Sequence, residues 1–139
     1  MKSTLLKVEN LSKTYAPGEV VWRNVNFDLG SGDFLYILGG SGAGKSSLLR
    51  ALASFERPSD GKVMAFGVDL QNSSHSDLER VRKKISFIPQ NLGLIPDLTV
   101  RDHLEMSQVP LARSERLETG AIVSYIALLG LKNRLESRI

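Results

Sequence analysis

The chain is 139 residues long, with 42% hydrophobic and 24% charged residues and a formal net charge of +3, the proportions of one ordinary globular domain. Eight basic residues face seven acidic ones up to Leu70, and ten face eight beyond it, so neither half is a charged tail, which argues against a protein that coats nucleic acid. The absence of cysteine removes disulfide frameworks, thiolate zinc sites and cysteine nucleophiles together.

The longest apolar runs, such as Phe34 to Leu38, are far shorter than the roughly 18 residues of a membrane-spanning helix. At the start, MKSTLLKVENLSKTY, any apolar stretch is interrupted by Lys7, Glu9 and Asn10, so it does not read as a secretion signal. These features predict a cytosolic protein.

In chain order, Leu5 to Tyr15 reads as a strand bent near Asn10 or Ser12. Pro17-Gly18 marks a turn, and Val20 to Asp28 resumes in β-rich alternation, so a hairpin is expected. After Gly30-Ser31-Gly32, the run Phe34-Leu35-Tyr36-Ile37-Leu38 lacks polar alternation, as in a strand covered on both faces of a parallel sheet. Residues 39 to 44 are nearly all Gly, Ser and Ala, and Lys45 to Ala53 places Leu48, Leu49 and Leu52 at helical spacing. Pro58 to Gly61 closes that unit, and Lys62 to Val68 returns to strand character around Gly67.

Farther on, Asp77 is a candidate cap for a helix running to Lys84. Ile85 to Ile88 reads as another strand, stopped by Pro89. A loop over residues 90 to 99 leads to a helix starting at Thr99 or Asp102 and running through Ser107. A further helix is expected from Arg113 to Leu129, with Leu117, Ile122, Tyr125, Ile126 and Leu129 on one face and Gly130 as its C-cap.

Gly39-Gly40-Ser41-Gly42-Ala43-Gly44-Lys45-Ser46 fits the phosphate-loop pattern, and its setting between an apolar strand and a leucine-faced helix is the one this motif requires. Glycines let backbone N–H groups converge on an anion, and the helix N-terminus adds free donors and partial positive charge. Lys45 offers a full charge to β and γ phosphates, and the Ser46 hydroxyl offers a hard ligand to Mg²⁺. The bland alternative is a glycine-rich turn that binds nothing.

Taken together, LSKTY ending at Tyr15, the strand Val20 to Phe27, GGSGAGKSSLL at 39–49, ERPSDGKV at 56–63 and ISFIPQNLGLIPDLTVRDHL at 85–104 resemble the ATP-binding domain of ABC transporters over nearly the whole chain. The wording SGAGKSSLL and LIPDLTVRDHL is most similar to the cell-division group FtsE and its relatives in lipoprotein release and macrolide export. The resemblance implies an α/β fold, a P-loop NTPase (RecA-like) core with an antiparallel β subdomain, here the N-terminal portion of a single domain over residues 1–139. It implies ATP and Mg²⁺ as cofactors. Tyr15 would stack on adenine, with a packed strand aromatic as the alternative. Ser47 would support the α phosphate, or serve only as a helix-start donor. Gln90 would be the Q-loop glutamine that reaches Mg²⁺ or the attacking water, or else a solvated loop residue.

The same resemblance implies an integral membrane partner, FtsX-like or a permease, contacted through the Q-loop region. It also implies a second ATPase subunit in a head-to-tail dimer and a peripheral place at the inner face of the cell membrane, and it implies no nucleic acid.

Hydrolysis requires a positioned water and compensation of developing charge. The family's catalytic Glu follows an Asp at the end of the Walker B strand, yet this sequence contains no Asp-Glu dipeptide, no Leu-Ser-Gly-Gly-Gln signature and no switch histidine after a later strand. The domain is therefore expected to be truncated before the signature motif and the Walker B strand. Sheet surface would be left without cover, and nucleotide would be bound but not hydrolysed by this chain alone. A non-catalytic nucleotide-binding or interaction module is the alternative, and a small P-loop kinase a weaker one. His75 and His103 lack ligand partners at metal-site spacing, and Arg80, Arg82, Lys83 and Lys84 read as cations at a helix C-terminus.

Overall fold

A computed structural model describes residues 3–109 and 119–138, which fall into two compact units, Met1–Ser86 and Phe87–Ile139.

In the first unit, β1 (Thr4–Thr14) and β2 (Val20–Gly30) form the expected hairpin. Its turn is closed by the Glu19 N–H donating to the Ala16 carbonyl at 2.9 Å. β3 (Asp60–Ala65) pairs with the other edge of β1, and the short β4 (Val68–Asp69) folds back on β3. The sheet order is β2-β1-β3-β4, antiparallel at every step.

The bend expected in β1 falls at Asn10, at φ 50, where the register with β2 slips between Val8 and Leu11. In a regular strand, residues three apart face opposite ways. The irregularity turns the chain so that both Val8 and Leu11 are buried.

Against this sheet packs α1 (Lys45–Leu52), with Leu48, Ala51 and Leu52 buried at spacings of three and four residues. Burial of each leucine contributes about 1.5–3 kcal/mol. Val63, Ala65, Leu70 and Val81 complete the core. Val81 comes from α2 (His75–Arg82), whose N-cap is Ser74 rather than Asp77. The Ser74 side chain accepts from the Asp77 N–H at 3.2 Å, while its hydroxyl donates to Asp77 Oδ2 at 2.7 Å. Asp77 therefore sits inside the first turn, where its charge favours the helix dipole.

The basic end of α2 is more than a solvated cluster. Arg82 Nη2 donates to the Ser54 carbonyl at 2.7 Å, just past the end of α1, so its charge lies near the negative end of that helix's dipole.

Two expected strands are absent. Phe34 to Leu38 and Ile85 to Ile88 make no strand ladder, because a parallel strand exists only beside a partner and none of the described strands runs along either segment. Phe34 and Tyr36 stand 79% and 74% exposed, and their rings meet edge to face at 4.7 Å. From these two segments, Ile37 and Ile85 pack against the core.

The second unit contains α3 (Val100–Gln108) and α4 (Thr119–Leu128), followed by a 3₁₀ turn at Lys132–Arg134. Thr99 caps α3 in a full capping box with Asp102, so both candidate start residues act at one helix end. Residues 110–118, and Leu117 with them, lie outside the described residues. Ile126 of the expected α4 face is buried, Tyr125 is exposed, and Gly130 follows the helix as its terminator. Pairing of Thr99 with Arg138, and the Arg101 to Glu136 ion pair at 2.7 Å, tie the last residues to the start of α3.

Among the described residues no helix is long and apolar enough to cross a membrane.

Candidate functional site

The phosphate-loop residues Gly39 to Ser46 run directly into α1. Gly44 is the N-cap residue, at φ 80, and no side chain caps the helix. The N–H groups of the first turn have no acceptor within their own helix, so they remain as donors beside the loop. Lys45 Nζ donates to the Gly39 and Gly40 carbonyls, at 2.8 and 2.6 Å. The lysine charge is thus held over the loop, in reach of an anion seated there. Ser46 and Ser47 follow in the first turn, and Ser47 is buried. Free helix-start donors, an ammonium and a hydroxyl fit a magnesium-bound polyphosphate in both charge and donor chemistry.

β2 packs directly behind the loop. A Cβ on Gly44 would run into Val21 Cγ1 and come within 2.9 Å of Trp22 Cδ1. Trp22 packs against the core while its buried Nε1 has no hydrogen-bond partner. At Gly40, by contrast, a Cβ would meet nothing within 4 Å.

Tyr15, at the end of β1, comes to the same place. Its hydroxyl lies 2.7 Å from Glu56 Oε1 and 3.1 Å from Ser47 Oγ, while the ring stays largely exposed. The structure therefore brings together Tyr15 and Ser47, residues that the sequence separates by 32 positions. Gln90 belongs to the second unit, exposed in the turn after Pro89. Beyond it, His103 accepts the Ile95 N–H at Nε2 (2.9 Å), and its Nδ1 lies 2.9 Å from the Thr99 carbonyl. That pair of contacts needs a neutral ring with its proton on Nδ1, and it makes His103 a brace for the loop. His75 lies 3.7 Å from Glu79. Among the described residues no group of His, Cys, Asp and Glu could hold a metal ion.

Glu56 is the residue that pattern reading passed over. Its Oε1 accepts from Tyr15, from Ser47 at 3.1 Å and from Lys13 Nζ at 2.9 Å. Partial burial pushes its carboxyl upward, but hydrogen bonds from Tyr15, Lys13 and Ser47 outweigh that and hold it below the ordinary glutamate value. A carboxylate lowered in the folded state adds stability that is complete above its unfolded pKa, about 4.3, and is lost as pH falls through the lower folded value. Urea melts of wild type and Glu56→Gln should therefore differ at neutral pH, and the gap should shrink progressively as pH falls below about 4.3; a gap unchanged by acid would contradict this assignment.

Residues 22–139 match the family described as ABC transporter. The chain belongs to that family. A phosphonates import ATP-binding protein, PhnC 2 of Oceanobacillus iheyensis, is 42% identical over 101 residues, covering 73% of this chain and 40% of that protein. The macrolide export ATP-binding/permease protein MacB of Vibrio parahaemolyticus is 32% identical over 139 residues, covering 97% of this chain and 21% of its own length. Among solved structures, a dimeric ATP-binding cassette in a post-hydrolysis state, bound to ADP and Pi, superposes with a TM-score of 0.76 at 29% identity. That match covers 96% of this chain and 61% of the other, so the cassette fold is shared. The chain spans less than half the length of the PhnC and MacB relatives.

Proposed function

We propose that this chain is the nucleotide-binding part of an ABC-type ATPase subunit that couples MgATP binding and hydrolysis to a membrane partner. The observation that carries the reading is the loop itself, with Lys45 over the Gly39 and Gly40 carbonyls beside uncapped helix-start donors. In this reading the backbone of Gly39, Gly40, Ser41, Gly42, Ala43 and Gly44 wraps the phosphates, Lys45 neutralises the β and γ groups and Ser46 gives its hydroxyl oxygen to Mg²⁺. Bound MgATP supplies the γ-phosphoryl group and the metal charge. Ser47 would serve the α phosphate and Tyr15 the adenine, while the resemblance gives Gln90 the role of the Q-loop glutamine.

The finer reading, an FtsE-like subunit with an FtsX-like partner in cell division, rests on the wording SGAGKSSLL and LIPDLTVRDHL. A permease partner, contacted through the loop from Gln90 to Asp97 at the inner face of the membrane, accords with relatives named for phosphonate import and macrolide export. A second ATPase subunit would complete the site head to tail, as the dimeric state of the matching cassette suggests by analogy.

With no Asp-Glu dipeptide in the sequence, the purified chain should bind MgATP and release phosphate no faster than Lys45→Ala does. Turnover clearly above that control would overturn the second part of this expectation.

A further inference from the structure

Glu56 gathers three donors on one carboxylate oxygen, and they come from two separate elements. Lys13 and Tyr15 lie at the end of β1, and Ser47 lies in the first turn of α1. The Lys13 and Glu56 side chains are only 12% and 16% exposed. Tyr15, in contrast, is 57% exposed. An exposed ring with little packing would turn freely about its side-chain torsions. Here the tip is tethered by its hydroxyl, and Lys13 Nζ sits 4.9 Å from the ring centroid. Lys13 is itself held by the Arg57 carbonyl at 2.7 Å. A buried serine, a carboxylate and an ammonium thus fix the plane of a ring that remains open to solvent.

We propose that Glu56 is a positioning residue of the nucleotide site: it sets the plane of the Tyr15 ring for stacking on a nucleobase, with Ser47 linking that anchor to the first turn of α1. The inference rests on the nucleotide-binding reading above and adds to it the side chain that orients the base contact. The proton count supports the arrangement. Tyr15 and Ser47 each carry one hydroxyl proton, and both hydroxyls reach Glu56. If Ser47 turns its proton to a phosphate oxygen, Glu56 still accepts from Tyr15 and Lys13. The ring therefore keeps its anchor while Ser47 changes partner. The carboxylate, held ionised at neutral pH, is the stronger acceptor for that tether.

The test compares MgATP with magnesium tripolyphosphate, which has the phosphates and no base, by calorimetric titration of the full chain. Glu56→Ala and Tyr15→Phe should each weaken MgATP about tenfold, and tripolyphosphate should change less than about twofold. Glu56→Gln, whose amide oxygen still accepts from Tyr15, should recover to within about threefold of wild type. The double variant Tyr15→Phe with Glu56→Ala should be no weaker than either single one, as coupling through one hydrogen bond requires.

Tyr15→Phe keeps the Lys13 to Glu56 ion pair, so it tests the proposal even if Glu56→Ala fails to fold. Unchanged MgATP affinity in Tyr15→Phe, or an equal loss for both ligands, would overturn the proposal. A wild type that binds tripolyphosphate and MgATP equally would also overturn it, while leaving the phosphate loop intact. A wild type that binds neither would overturn the nucleotide reading itself.

Discussion

Gly61→Ala should unfold the first unit or leave it barely stable. Gly61 lies in β3, opposite the irregular stretch of β1, where pairing jumps from Glu9 with Lys62 to Ser12 with Asp60. Its φ is +85, and a Cβ there would run into the Asn10 carbonyl and come within 2.6 Å of Leu11 Cα. These are backbone atoms of the central strand, so no side-chain rotation relieves the clash. The left-handed backbone costs about 1–2 kcal/mol in an L-residue, and displacing β1 disturbs the seat of the fully buried Leu11. Together these place the loss at about 3–5 kcal/mol, which is most of the stability of a small domain. Urea denaturation followed by circular dichroism checks it, and a midpoint within error of wild type would show that β1 and β3 are not packed as described.

Gly44→Ala should cost the phosphate loop its grip. At φ +80 the residue joins the loop to α1, and its missing side chain is what lets Val21 and Trp22 of β2 close against the turn. An added methyl must push those side chains away or rotate the first turn, and either movement displaces the Lys45 ammonium and the helix-start donors together. MgATP affinity should fall at least about tenfold, since a misaligned anion loses more than one charge-assisted hydrogen bond. Gly40→Ala is the matched control, because a Cβ there meets nothing within 4 Å. Equal affinities in the two variants would remove β2 from the account of the loop.

Much of this was readable from residue types, where local chemistry decides the structure. The hairpin followed from Pro17-Gly18 between two β-rich runs, α1 from the leucine spacing after the glycine loop, and the start of α3 from Thr99 with Asp102 three residues on. Phe34 to Leu38 shows the limit. Its unbroken apolar run fits a buried strand, but a strand also needs a neighbour, and apolarity alone does not supply one. Ser74 and Asp77 are both capping residue types, and only the position of the turn decides which side chain receives the N–H. Arg82 and Glu56 were illegible for another reason. Their partners lie 28 residues away at Ser54, and 41 and 43 away at Tyr15 and Lys13, and no spacing rule connects such pairs.

The most direct test of the central claim is calorimetric titration of MgATP into monodisperse wild-type chain and into Lys45→Ala. Lys45 carries the only full charge held over the loop carbonyls among the described residues, so the account predicts saturable binding by the wild type and none measurable by Lys45→Ala at the same concentrations. Equal binding by the two, or no binding by folded wild type, would contradict it.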